Sequence, residues 1–398
     1  MPAIATTPHA PVLTGRAPRG GVVVLLVVTA LIVLTQLYVS IPLQEPVGAE
    51  FGPAGVTAAL TAGYSFFYAV GFLVYGPLSD HLGRRRVLVS GLAVLTMATV
   101  AVGLAPSPAA LGVLRAVQGA AAATFAPTAL AYLGEALPPR RRTGAIGAIS
   151  VAFLAAGIVG QVAATAIGAA GWRWVFFLGG LALAVLTLIS AAMIREPAAE
   201  RPRQPLPSRY ASLVRFTVRP RSLVLCAGHL VVLGGFVGMY TLLGPHLADA
   251  GLSSAETMPV RAAALPAMFC SLLAGPLSDR FGVTRSALIG FVVAALGLAG
   301  EAVLGGNLIG VTAASVVFVA GVAILVPTMI TVWGDAAHPA RGIGMAVNGF
   351  VLFLGAGLGS YATELPGGFS TALLILAALY LAAGIVISAA TGRTRPAR

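Results

Sequence analysis

The sequence predicts an all-α membrane protein, with twelve transmembrane helices arranged as two pseudo-symmetric six-helix bundles. Three observations carry this. Of 398 residues, 58% are hydrophobic and only 9% charged, and mean hydropathy is +0.95. Soluble domains carry roughly a quarter charged residues, so a water-facing surface cannot be built from this composition. The chain also divides into twelve apolar runs, each close to the ~20 residues that cross a bilayer. Finally, one polar block recurs half a chain later.

In order, the runs are 21–41, 56–75, 87–104, 111–132, 144–164 and 174–194, then 222–243, 256–273, 286–303, 308–332, 342–361 and 371–390. The first is longer than the apolar core of a cleaved signal peptide. It lacks a small-residue cleavage pattern and is followed by further spans, so it is expected to stay embedded. Between the sixth and seventh runs lies 195–221 (REPAAERPRQPLPSRYASLVRFTVRPR), which is polar, proline-rich and basic. It reads as a linker, with room for an amphipathic surface helix around 210–218. The expected organisation is a first bundle over 1–194, a cytoplasmic linker over 195–221 and a second bundle over 222–398.

All 24 positive charges are arginine. Without lysine there is no Walker A phosphate loop and no Schiff-base amine. Cys226 and Cys270 are too few for a disulfide framework and, with five scattered histidines, for a metal site. No cofactor is expected. The arginines also set orientation, because loops rich in Lys and Arg stay cytoplasmic. Twenty-one of the 24 fall on the tails, on the even-numbered connectors or on 195–221. Both termini are therefore expected in the cytoplasm, and the charge of +12 reads as a topology signal rather than a nucleic-acid surface. Arginine-only, alanine-rich usage points to a bacterial plasma (inner) membrane.

Residues 76–83 (GPLSDHLG) return as 275–282 (GPLSDRFG), an offset of 199. Arg142 maps onto Arg341 and Gly160 onto Gly359, while Gly134-Glu135 matches Gly334-Asp335 one residue out of step. This is the mark of a duplicated six-helix unit, the way many secondary transporters are built, with a substrate site between halves near the membrane midplane.

On these residues the chain resembles the major facilitator superfamily. The stretch 76–86 (GPLSDHLGRRR) is similar to that family's G-x-L-A-D-R-x-G-R-R loop signature, at its place between helices two and three. The stretch 111–119 (LGVLRAVQG) resembles the L-x-x-x-R-x-x-x-G signature of proton-coupled members. Residues 36–43 (QLYVSIPL) and 171–175 (GWRWV) resemble stretches of drug-efflux-type members. The helix-five antiporter signature G-x-x-x-G-P-x-x-G-G is degraded here: Gly160 matches, but Gln161 replaces proline and Ala164-Thr165 replace the glycine pair.

The resemblance implies a cytoplasmic gate in which Asp80, Arg84 and Glu135 form a charge network near the start of helix eleven, around Arg341. Gly76 and Gly83 would allow close helix approach and a tight turn. The second copy keeps Gly275, Asp279, Gly282 and Asp335 but has Val283 in place of Arg84, so its gate is expected to be weaker. Arg115 is the one charged residue well inside a helix of the first half. A central arginine costs ~2.5–3.5 kcal/mol even on insertion scales, so it should face a cavity or a partner. The resemblance assigns it to proton coupling or substrate contact. His229 is a second candidate for proton coupling, because imidazole titrates near neutrality. Gln36, Ser40, Tyr64, Tyr68, Gln118, Gln161 and Asn348 are expected to wall a hydrated substrate cavity.

These expectations describe a proton-driven exporter of small amphipathic molecules working by alternating access, functional as a monomer, with substrate, protons and lipid as its partners. Proton-coupled uptake of a nutrient or sugar-like solute is the alternative, and a non-transporting membrane sensor lies further off. A membrane enzyme would need paired acids or a His/acid cluster within the spans, and none appears.

Overall fold

The computed structural model describes residues 20–197, 205–338 and 341–391. Among them, twelve helices are long and apolar enough to cross a membrane and no strand occurs. The helices are α1 (Gly20–Tyr38), α2 (Ala58–Leu82), α3 (Arg84–Gly103), α4 (Pro108–Ala136), α5 (Gly144–Gly168) and α6 (Trp172–Met193), followed by α7 (Pro220–Asp249), α8 (Glu256–Phe281), α9 (Val283–Val303), α10 (Leu308–Ala336), α11 (Gly342–Gly359) and α12 (Gly368–Ala390).

Every expected span is present, and the differences lie at their ends. Helix α2 runs seven residues past its expected end because hydropathy marks the apolar slab, whereas backbone hydrogen bonding continues until a residue breaks it. Gly83, at φ +103°, is that residue, and Gly282 at φ +83° closes α8 in the same way. Both angles favour glycine. Prolines account for the irregular stretches. Pro42 has no N–H to offer the Tyr38 carbonyl, so α1 breaks at Val39 and resumes as a separate helix, Ser40–Phe51. Pro266 likewise splits α8, whose middle, Leu265–Leu273, winds as a tighter 3-10 helix. The linker contains a helix at Leu206–Thr217, with Leu213 and Phe216 buried, Arg209 on the same inward face and Arg215 exposed.

The duplication is visible in the packing. In the first half α1 packs on α5 and α6, α2 on α4, α3 on α4 and α6. In the second half the same pairs recur six helices later: α7 on α11 and α12, α8 on α10, α9 on α10 and α12. The seam between the halves is itself paired, α2 against α11 and α5 against α8. Outward faces carry exposed aliphatic side chains such as Val24, Leu188 and Ile309, as lipid contact requires.

Helices inside each half meet at glycines, because apolar lipid gives no hydrophobic drive and close backbone approach must substitute for it. A Cβ on Gly355 or Gly359 would run into the carbonyl of Leu230 or Gly234 on α7. Gly119 faces the Tyr64 backbone in the same way, joining α4 to α2. We expect Gly355→Leu to destabilise the protein by about 1–3 kcal/mol. Thermal unfolding in detergent measures this, and an unchanged midpoint would refute the α7–α11 contact.

Candidate functional site

The first cluster lies at the linker end of the first half. Arg84, at the start of α3, pairs across the Gly83 turn with Asp80 near the end of α2, and with Glu135 of α4 at 2.6 Å. Its guanidinium also donates to the Ser79 hydroxyl at 2.5 Å. The structure thus brings Asp80, Arg84 and Glu135 together, joining three helices of one half. The network then turns to the linker: Arg209 pairs with Asp80 at 2.5 Å, and the Tyr210 hydroxyl donates to the Val74 carbonyl at 2.9 Å. The linker helix also packs against α7 and α11, and Phe216 meets Trp333 of α10 edge-on. The bridge to the second half therefore runs through this helix. The side chain of Arg341 lies outside the described residues.

Two further details complete this end. The carboxylate at the N-terminus of α3 is that of Glu196. Its oxygens accept from the backbone N–H of Arg84 and Arg85 at 2.7 and 2.9 Å, satisfying donors that a helix start leaves open. Arg85 reciprocates by donating to the Ala191 and Ile194 carbonyls at the end of α6. Against expectation, Gly76 and Gly275 make no close approach, since a Cβ at either would meet nothing within 4 Å. Their neighbours are too distant for the missing side chain to matter. In the second half Asp279 and Asp335 are exposed and form no ion pair among the described residues.

The second cluster is centred on Arg115, fully buried in α4. Its guanidinium donates to the Leu60 carbonyl (2.7 Å), the Gln36 carbonyl (2.9 Å) and Gln118 Oε1 (2.6 Å). Gln118 donates in turn to Thr99 (2.8 Å) and to Gln36 Oε1 (3.3 Å). The Tyr64 ring lies beneath the cation, 4.3 Å from Cζ, adding a cation–π contact. No carboxylate among the described residues takes part, and neutral oxygens and a ring face offset the desolvation of this charge. One nitrogen, Nη2, has no partner.

The third cluster is the seam. Tyr68 stacks on Tyr64 and meets Phe353 of α11 edge-on, with centroids 4.4 Å apart, while Phe72 stacks on Phe353 at 5.3 Å. Tyr38 meets Phe236 of α7 at 5.8 Å. Farther from the linker, Arg261 of α8 donates to Gln161 Oε1 of α5, and Gln161 Nε2 donates back to the Gly157 carbonyl. Proline, which the antiporter signature has at this position, could not accept that bond. Asn348 is buried with its Oδ1 unpartnered, as are the Tyr64, Tyr68 and Tyr240 hydroxyls. Ser40 spends its hydroxyl on the Leu37 carbonyl. The expected cavity residues therefore converge, but they meet across the seam as buried side chains because aromatic rings from α2, α7 and α11 fill the space. A groove of about 1000 Å³ lies elsewhere, on the outer face of the first half between α2, α3 and α4.

His229 is not in this group. It is buried between α7 and α10, and its Nδ1 accepts from Trp333 Nε1 at 2.9 Å, which commits that lone pair within one half. Two further residues stand out near helix ends away from the linker. Arg261 is 4% exposed and Glu301 is fully buried. A deviation from the amphipathic end pattern was the one signal available, and hydropathy alone cannot reveal it.

The arrangement is that of a two-bundle membrane carrier. A family model for the Major Facilitator Superfamily matches residues 25–360, and the chain belongs to that superfamily. An MFS-type transporter of Mycobacterium tuberculosis is 35% identical over 34% of this chain and 23% of its own length. The tetracenomycin C resistance and export protein of Streptomyces glaucescens is 35% identical over 33% of this chain and 25% of its own length. The chain thus matches about a quarter of the length of each of these relatives. Among solved structures, a bacterial homologue of the human lysosomal transporter Spinster, inward-facing and occupied, shares the fold with a TM-score of 0.70 at 19% identity, covering 95% of this chain and 98% of the other.

On the face away from the linker, Glu50 ties the helix Ser40–Phe51 to α6. Its oxygens accept from Arg173 at 2.6 Å each, and one also accepts from Trp172 Nε1 at 2.8 Å. The hydrogen bonds from Arg173, then from Trp172, hold this carboxyl below the ordinary carboxylate range. Both partners are more than a third exposed, so solvent screening limits the pair to less than about 1 kcal/mol. A depressed value stabilises the fold above the unfolded carboxyl's range, and that contribution is lost as pH falls through the folded value. Glu50→Gln should therefore unfold slightly earlier than the parent at neutral pH and together with it in acid. A deficit that persists in acid would contradict the ionic origin.

Proposed function

We propose that this chain exports small amphipathic molecules by proton-coupled alternating access, with the two halves rocking about the seam. The observation that carries the reading is where the buried polar groups sit. Arg115, Gln118, Gln36, Gln161, Arg261 and Asn348, with the tyrosines of α2, gather between the halves or directly behind that surface, and several have unsatisfied atoms. Polar groups in a membrane interior are costly and mark substrate or ion pathways. A static bundle would gain stability by replacing them with aliphatic side chains. The name of the Streptomyces glaucescens relative supports export as the direction. In this reading the linker and both termini face the cytoplasm of a bacterial cell, the division falls at 195–221, the carrier works as a monomer, and Arg115 with Gln118 and Gln36 contacts substrate from the first half.

Energetically the coupling suffices. One charge crossing 100 mV gains ~2.3 kcal/mol, so 150 mV supplies about 3.5 kcal/mol, roughly 300-fold accumulation. The Asp80–Arg84–Glu135 network, extended by Arg209, serves as the cytoplasmic latch. Its counterpart in the second half has Val283 in place of the arginine and, among the described residues, no ion pair at Asp279.

Cells expressing the protein are expected to hold less of an amphipathic dye or antibiotic, and a protonophore should abolish the difference. Accumulation that ignores the protonophore would refute proton coupling. Asp80→Asn is expected to lower efflux at least tenfold, the factor that about 1.4 kcal/mol of lost latch energy represents, whereas Asp279→Asn should stay near the parent rate. Equal rates for both variants would remove the latch.

A further inference from the structure

Glu301 lies near the end of α9 away from the linker, two residues before Val303, which is 79% exposed, yet Glu301 itself is fully buried. It is the one buried carboxyl group among the described residues, and neither of its oxygens has a hydrogen-bond partner. Ser315 of α10 stands beside it without closing a bond. Tyr240 of α7 lies within electrostatic range, its hydroxyl also unpartnered. Tyr240 is equally within range of Arg261, the side chain that clasps Gln161 across the seam.

The remaining titratable groups on the helices packed around α9 are engaged or distant. His246 of α7 bonds the Gly305 carbonyl at 2.9 Å and stacks on Phe369. Tyr380 of α12 donates to the Val232 carbonyl at 2.6 Å. Asp279, Arg280 and Arg285 stand at the opposite, linker end of α8 and α9.

A carboxylate sealed from water without a hydrogen bond carries an uncompensated solvation cost of several kcal/mol. A structural acid would use its oxygens, as Glu135 and Glu50 do. Glu301 uses neither, so this closed arrangement accommodates it as the neutral acid, and the Ser315 hydroxyl beside it becomes useful only once a charge appears. We propose that Glu301 carries the transported proton, and that Tyr240 links its charge to the Arg261–Gln161 clasp between the halves. This rests on the proton-coupled reading above. In the step, the carboxyl O–H bond breaks, the proton passes to water reaching the site from the open face, and the electron pair stays on the carboxylate. Ser315 can then donate a hydrogen bond to it, and Tyr240 senses the charge at longer range. The new negative charge draws on Arg261 from behind Tyr240, weakening its bond to Gln161 and favouring separation of the halves at that end.

The test uses the full chain in proteoliposomes loaded with a fluorescent amphipathic cation or a neutral dye, comparing the parent with Glu301→Gln. The amide mimics the neutral acid, so folding should survive. Dye movement driven by a pH gradient is expected in the parent and should fall to the no-gradient level in the variant, while gradient-free dye exchange continues at a rate close to the parent's. The infrared band of a buried carboxylic acid should be present in the parent and absent from the variant. Variant transport driven as in the parent would overturn the inference, leaving proton coupling intact but located elsewhere. Loss of exchange as well as drive would also overturn it, making Glu301 a structural or substrate group. A parent that ignores the pH gradient would refute the proton-coupled reading itself, and this inference with it.

Discussion

The penalty for leaving a polar group unbonded in a hydrocarbon slab governs this molecule. Lipid cannot hydrogen-bond backbone or side chain, so each spanning segment closes its own backbone as a helix. Every polar side chain within a span must then find a protein partner, an aqueous face or both. Arginine supply at the helix ends, glycine at the helix crossings and the placement of each glutamine follow from that single requirement. Exposed aliphatic side chains cover the outside, and the polar residues withdraw to surfaces between helices.

Duplication turns this requirement into a device. Because each half repeats the same helix pairs, the seam inherits two related contacts, α2 with α11 and α5 with α8. Two similar surfaces on either side of one centre can separate at one end while staying joined at the other. The two ends are nonetheless built from different chemistry. At the linker end, ion pairs among Asp80, Arg84, Glu135 and Arg209 hold three helices and the linker helix. At the far end, a buried cation meets a neutral amide, Arg261 with Gln161. The first is a charge network open to screening by salt, and the second is sensitive to any charge that appears nearby in a low-dielectric setting.

Much of this was legible in the sequence, and particular residues explain what was not. The twelve spans were readable because hydropathy and bilayer thickness impose one length scale. The repeat of GPLSD gave the two halves, and the family resemblance of the loop at 76–86 pointed to Asp80 and Arg84 as members of one charge network. The breaks at Val39 and within α8 follow from Pro42 and Pro266, whose presence was plain but whose effect depends on the packing that absorbs them. Glu196 and Arg209 escaped notice because a basic, proline-rich stretch reads as spacer, and nothing local reveals that it folds back onto α2 and α3. Arg261 and Glu301 escaped because position along a helix gives depth, whereas burial depends on which way the side chain points in the assembled bundle. His229 shows the reverse case, a titratable side chain at a promising depth that packing assigns to Trp333.

The proposed alternating access requires the seam to open at one end while it closes at the other. Distances between spin labels measure this directly, with one pair placed across the seam at the linker end and another across it at the far end, each followed as substrate and pH are changed. Opposite movements are expected, one pair separating as the other closes. Fixed distances at both ends, or both pairs widening together, would contradict alternating access.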